Sequence, residues 1–400
     1  MSPHEIRPAE RRDLAALAAL ARSQAAARHL LDPRLPTSPH IIPFLSQAET
    51  LDDVLSWRHH VTFVARQDGQ VVGGINLHRV EQSDRDQFAA YYPKRFTSIG
   101  LIAAQDGGTA SIVADLLAAA REQADRWKTP ALLAHNATAD CTLREALDRF
   151  GFRTFYHYAL RPAGPVPSGT TRMADSASAA GGNHSSRHDG STTPAAVTSP
   201  TTVPAIPPDA ASAIPPAPLD APFRLPPSAF TLPEKPELDG LSMRHATSAD
   251  LNEIVALGIE SVRYHAALDP TMHVPRGEDG KMRRRFQAIL REPQHGALFV
   301  AMLDWQIVAF YSLYLQSIDD SWTPPLFAPG RYGLLAEVAV AEGLRGRGVG
   351  RRLFHTVEQW FRERGAQRFW LIYLLRNPLS SRFWPSLGFQ PVWDVMLAGA

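Results

Sequence analysis

Cysteine is almost missing from this chain: Cys141 stands alone among 400 residues. A single cysteine forms no intrachain disulfide, and the expectation is a protein that folds in a reducing cytoplasm. Neither sign of charge is in excess, with 41 Lys and Arg against 40 Asp and Glu. That balance argues against a general binder of nucleic acid or anionic membrane, whose affinity comes from clustered positive charge. Long apolar runs are lacking as well. The start, MSPHEIRPAERRDL, has no apolar centre and does not read as a secretory signal. The alanine-rich run behind it is broken by Arg22, Gln24 and Arg28, so it reads as an amphipathic helix and not as a membrane span. No closely spaced Cys/His set points to zinc, and no metal is expected.

From about 163 to 240 aromatics are almost absent, and Pro, Ala, Ser, Thr and Gly dominate. Such a stretch cannot bury enough apolar surface to offset its ordering entropy. It reads as a disordered linker, stiffened locally by polyproline, with a proline-rich partner motif as the alternative. The chain is too long for one ordinary domain, and its 44% hydrophobic content is enough for real cores. The expected division is 1–162, a linker at 163–240, and 241–400.

The two flanks resemble each other. IRPAERRDLAALAAL from Ile6 parallels MRHATSADLNEIVAL from Met243, and Asp32-Pro33 parallels Asp269-Pro270. FVARQDGQVVG from Phe63 parallels FVAMLDWQIVA from Phe299, and RFTSIGLIAA from Arg95 parallels RYGLLAEVAV from Arg331. DRFGF, ending at Phe152, parallels PSLGF, ending at Phe389. Matches in one order at a near-constant offset of about 237 indicate a duplicated domain. Each copy reads as an amphipathic helix, a strand pair, a third strand, a glycine-containing turn, a long helix, a further strand and a last helix. In the second copy Leu251, Ile254, Val255, Gly258 and Val262 share one helix face. Leu353, Phe354, Val357, Trp360 and Phe361 share another, with Gly365 suited to the C-terminal cap. FWLIYLL, 369–375, reads as a strand covered on both faces. The predicted class is α/β or α+β, with a mixed sheet flanked by helices in each copy.

RGRGVG, 345–350, follows the strand LLAEVAV and opens the long helix. A turn of this kind exposes the first N–H groups of a helix, which have no intrahelical partner and sit at the positive end of its dipole. Glycine lets the backbone approach a ligand and take positive φ. Phosphate is the natural ligand, and Arg345, Arg347, Arg351 and Arg352 add positive charge. The spacing is neither G-x-G-x-x-G nor a Walker A loop.

Arg345-x-x-Gly348-x-Gly350 after a strand resembles the pyrophosphate-binding loop of the GNAT superfamily, the acetyl-CoA-dependent N-acetyltransferases. Asn377-x-x-Ser380-x-x-Phe383-Trp384, followed by Leu387-Gly388-Phe389, resembles the family's later segment. The resemblance implies a tandem member whose second copy binds acetyl-CoA through Val338, Val340, Arg345, Gly346, Arg347, Gly348, Val349, Gly350, Arg351 and Asn377. It implies direct attack of an amine on the thioester. A lysine-like amine, with a pKa of about 10.4, is neutral only about once in a thousand molecules at pH 7, so a base is needed. Glu337, on the strand before the loop, is the expected base; the alternative is a structural ion pair. Backbone N–H groups of 338–340 are the implied oxyanion donors. The family often uses a tyrosine as acid, but Trp384 stands at that position. Tyr373 is the candidate substitute, with Tyr311 and Tyr314 as alternatives, and His265 is a candidate lining residue of the acceptor cleft. In the first copy Gln105-Asp106-Gly107-Gly108-Thr109-Ala110 fits the loop loosely, but no Lys or Arg lies between Phe96 and Ala120. That copy is expected to be degenerate.

The expected activity is transfer of an acetyl group to a small-molecule or peptide amine, with no nucleic acid or membrane partner and with the two copies packed as an intramolecular pseudo-dimer. The alternatives are a non-catalytic acyl-CoA sensor, an activity like that of the mycothiol synthases, which share the two-copy plan, and a scaffold whose linker recruits partners. The acceptor is expected to be set by 269–293, a region of mixed charge.

Overall fold

The alternation of β-rich segments with helical periodicity is realised twice. The structure of the protein, a computed structural model, describes residues 4–37, 59–82, 92–105, 109–163, 238–318 and 327–399. The first half contains β1 (Glu5–Pro8), α1 (Leu14–Leu31), β2 (His60–Gln67), β3 (Gln70–Glu81), β4 (Arg95–Ala104), α2 (Thr109–Trp127), β5 (Ala131–Ala137), α3 (Cys141–Arg149) and β6 (Arg153–Pro162). The second contains β7 (Ser242–His245), α4 (Leu251–Leu268), α5 (Glu278–Arg291), β8 (Gly296–Leu303), β9 (Gln306–Ile318), β10 (Gly330–Val340), α6 (Val349–Glu363), β11 (Arg368–Leu374), α7 (Ser380–Ser386) and β12 (Gln390–Ala398). The positions that correspond to α5 in the first half lie outside the described residues, as does the linker of the sequence reading from 164 to 237. No described helix is long and apolar enough to cross a membrane.

Sequence patterning missed two strands in each half. A short one, β1 or β7, precedes the first helix, and a long one, β6 or β12, follows the last. The final strands decide the architecture. The twelve strands among the described residues form one sheet in the order β1-β2-β3-β4-β5-β12-β6-β11-β10-β9-β8-β7. The last strand of each half is inserted into the other: β12 lies between β5 and β6, and β6 lies between β11 and β12. At the centre His157 and Asp394, 237 positions apart, pair with each other at 2.8 Å. Residues at equivalent positions that touch mark a local two-fold axis. Asp394 is fully buried and also accepts from Thr138 Oγ1 and an Arg144 terminal nitrogen, as a buried carboxylate must.

The sheet has two covered faces. Phe361 of α6 stacks on Phe369 of β11, and Tyr311 of β9 meets Trp384 of α7, so α6 and α7 lie on one face. A Cβ on Gly258 of α4 would collide with Met282 of α5 and touch Phe310 of β9, so α4 and α5 lie on the other. Away from bulges, alternation along a strand then assigns its residues to a face. Gly365, at φ +75°, ends α6; its N–H donates to the Arg362 carbonyl and that of Ala366 to the Phe361 carbonyl. This is the glycine cap that the sequence predicts.

Candidate active site

β10 carries the decisive irregularity. It pairs with β11 only from Tyr332 to Leu335, opposite Arg368 to Leu371. Beyond that point the two strands part. A bulge sits at the same place, because Leu335 faces Leu313 and Glu337 faces Ser312 across β9, which leaves Ala336 as the extra residue. A bulge of this kind bends its strand and re-aims the side chains after it. The Glu337 and Ala341 N–H groups donate toward β9, to Ser312 Oγ and the Val308 carbonyl. N–H directions alternate along a strand. Those of Val338 and Val340 therefore point into the gap, where no strand pairs with them.

The gap opens into a cleft of about 810 Å³. At its mouth Gly346 and Gly348 adopt φ +76° and +90°, and Gly348 is the N-cap of α6 with no side-chain capping bond. Val349, Gly350 and Arg351 begin that helix and line the same cleft. The free N–H groups and positive dipole end of α6 thus face an open space with room for an anion. The arginines divide. Arg345 lines the cleft, but its Nε donates to the Val340 carbonyl, it pairs with Glu260 at 3.4 Å, and it lies 4.7 Å from the Tyr264 ring centre. It closes the turn. Arg351 is exposed and donates to Ser386 Oγ, while Arg347 lies outside the lining. Arg382 of α7 lines the cleft and went unnoticed in the sequence.

Asn377 is buried and does two things. Its Oδ1 accepts from the Leu379 and Ser380 N–H groups at the start of α7, and its Nδ2 reaches His265 Nε2 at 3.0 Å. Burial pushes the His265 pKa down, against a hydrogen bond to the Ser261 backbone. The ring is a neutral lining group, with its acceptor nitrogen turned to Asn377.

Glu337 projects on the α4/α5 face, opposite to α6. Its Oε1 accepts from Arg285 Nε at 3.0 Å, and its Oε2 accepts a short hydrogen bond from Ser312 Oγ. Arg285 also reaches Glu278, which pairs with Lys281. Glu337 is thus ion-paired, and it also lines the cleft. A carboxylate has about four lone-pair sites, so each oxygen can still accept a further proton donor. Arg285 and Ser312 escaped the sequence reading, since nothing local marks them as partners of a residue on a different strand.

Tyr373 lies on the other face with Tyr311 and Trp384. Its pKa is raised, by burial first and the Asp394 charge second. The Tyr311 hydroxyl is committed to the Gly350 carbonyl at 3.1 Å, and burial raises its pKa as well. Tyr314 is on the Glu337 face, pushed up to about 12 by burial and then by the Glu337 charge. Trp384 is buried against Phe383, Tyr311 and Phe389 and serves as packing.

The corresponding place in the first half is a cavity of about 30 Å³. Arg28 and Asp140, equivalent to His265 and Asn377, form an ion pair there at 3.1 Å, and Arg28 stacks over Trp393 of β12 at 6.0 Å. Asp106, Gly107 and Gly108 of the loose loop match lie outside the described residues.

Residues 262–389 match the model of the acetyltransferase (GNAT) family. No curated protein sequence is significantly similar to the chain. Among solved structures, a GCN5-related N-acetyltransferase from Sphaerobacter thermophilus aligns at 15% identity and TM-score 0.48, covering 99% of this chain and 95% of that one. A tandem GNAT protein from the clavulanic acid biosynthesis pathway aligns at 14% identity and TM-score 0.44, covering 98% and 97%. The stretch that is similar to the acetyltransferase (GNAT) family, residues 262–389, is the one that holds the bulge, the glycine turn and the uncapped helix.

Proposed function

We propose that the protein is an acetyl-CoA-dependent N-acetyltransferase with one working site, in its second half, and that the two halves act as a pseudo-dimer within one chain. The observation that carries this reading is the uncapped start of α6 behind two left-handed glycines, opening on the gap between β10 and β11. The residues fit the cofactor. The N–H groups at 349–351 would hold its pyrophosphate, with Arg351 and Arg382 at hand, and Val338 and Val340 would bond the extended arm and the carbonyl oxygen. Acetyl-CoA supplies a thioester, and transfer makes a C–N bond as the C–S bond breaks. Glu337, on the opposite face, takes the proton of the incoming ammonium directly or through one water, so that the neutral amine attacks. The Val338 N–H, which points into the gap, would supply a donor for the negative charge on a thioester carbonyl oxygen bound there. Tyr373, on the side of α6, stays protonated and would donate a hydrogen bond to the leaving thiolate, while the second proton shed by the nitrogen passes through solvent to that thiolate.

Calorimetric titration of acetyl-CoA into the full chain tests this. One site per chain is expected. Gly348→Ala, which forces a side chain into φ +90°, should weaken binding about tenfold or more and destabilise the fold by about 1 kcal/mol. No binding by the intact chain would overturn the reading. A sensor that binds acyl-CoA without turnover is favoured by one observation, the buried Trp384 at the usual tyrosine position. Release of free thiol in the presence of amines would rule it out.

A further inference from the structure

We infer that the acceptor subsite is built jointly by the two halves and takes a primary amine on a flat apolar body, an arylalkylamine in chemical class; this rests on the acetyltransferase reading. The cleft wall on the Glu337 face is aromatic, and part of it comes from the first half. Opposite residues of neighbouring strands share a face. Leu334 faces Trp370, Trp370 faces Leu160, Ile372 faces Tyr158 and Leu374 faces Tyr156. Tyr156 and Tyr158 of β6 therefore stand on the face of Trp370, which is also the face of Glu337. Tyr158 stacks on Trp370 at 6.1 Å and 25°. Tyr92 reaches Tyr158 through the two hydroxyls, and Tyr156 donates to Met272 Sδ. Tyr92, Tyr156, Tyr158, Met272 and Trp370 all line the cleft.

Charge narrows the class. Among the described lining residues carried by strands, Glu337 is the only charged one. A single carboxylate suits one ammonium group and not a polycation. The Arg285 that faces it is held by Glu337 and Glu278, and the arginines that line the cleft, Arg345, Arg351 and Arg382, belong to the glycine turn, α6 and α7 and not to the aromatic wall. The aromatic faces offer stacking to a ring and an attractive surface for an ammonium. The first half shows the contrast: Trp393, the counterpart of Tyr156, packs there against Arg28, and only about 30 Å³ remains.

The test uses the full chain and three probes, 2-phenylethylamine, spermidine and glycine, by calorimetry with and without CoA and by thiol release from acetyl-CoA. The expected result is one 2-phenylethylamine site per chain and a kcat/KM about tenfold or more above the other two. Tyr158→Ala should weaken the aryl amine about tenfold or more and leave acetyl-CoA affinity within about twofold, while Tyr158→Phe, which keeps the ring, restores most of the binding. Should Tyr158→Ala also lose acetyl-CoA, Tyr92→Ala, outside the strand ladder, decides by the same criteria. Preference for spermidine or glycine, absence of aryl-amine binding, or indifference to these truncations would overturn the subsite. Aryl-amine binding without any acetyl-CoA binding would instead overturn the acetyltransferase reading and leave the subsite standing.

Discussion

Glu337 shows how much one side chain owes to its neighbours. Ser312 and Arg285 hold its carboxylate beside the gap, and the lone pairs left over are what an ammonium proton would use. Glu337→Gln keeps the shape and removes the charge. It should lower kcat by about 10²–10⁴-fold with acetyl-CoA affinity unchanged, as steady-state kinetics and calorimetry would show. Tyr373→Phe should cost less than about tenfold in kcat. A phenol whose pKa is raised above its ordinary value of about 10 is too weak an acid to protonate a thiolate of about 8.5, so only a hydrogen bond is lost. A different pair governs pH stability. His60 and His78 stack at 4.0 Å, and burial, then His78 and His59, push the His60 pKa down to about 4. The folded-state value lies below the unfolded one of about 6.5, so the unfolded chain takes up the proton first. The contribution of His60 to stability is full above pH 6.5 or so and is lost as pH falls toward 4. Thermal melts across that window should show the slope, and His60→Asn should flatten it.

At the scale of elements, two hairpin turns of one design differ in one residue. Asp68-Gly69 and Asp304-Trp305 both adopt left-handed φ, at +50° and +80° and at +49° and +68°. Such turns match the twist of the strands that they join and favour glycine second. Trp305 is 92% exposed and so gains little packing to offset the strain. Left-handed backbone costs a side chain about 1–2 kcal/mol, part of which glycine returns as unfolded-chain entropy. Trp305→Gly should therefore raise the denaturation midpoint, by about 1 kcal/mol at most; an unchanged or lower midpoint would show that Trp305 has a packing role. The bulge at Ala336 is the opposite case, an irregularity that opens the gap on which the site depends.

The whole molecule is held by exchanged strands. β6 completes the second half's sheet along seven residues of β11, and β12 fills the space between β5 and β6. A 241–400 fragment loses β6 and bares the edges of β11 and β12, which are apolar and ready to pair. It should form dimers or aggregates by light scattering, and mixing with 1–162 should restore a one-to-one complex. A monomeric fragment that binds acetyl-CoA would contradict this. The full chain should run as a monomer near 44.0 kDa, since both insertion places are filled from within.

The sequence by itself determined the duplication, the main helices, the glycine turn and the buried stripe of α6, because these follow from local periodicity and from backbone conformations that only certain residues adopt. His265 and Asn377 could be singled out from it, but not their contact, which lies between an α4 helix and a turn 112 positions away. Glu337 was legible as a carboxylate next to a glycine turn; its bonds to Arg285 and Ser312 were not. Tertiary structure alone decided that β6 and β12 change places and that Tyr156 and Tyr158 of one half line the site of the other. An apolar strand carries no mark of which sheet edge it joins, since main-chain hydrogen bonding is the same at every edge and only the packing of the two halves makes the choice.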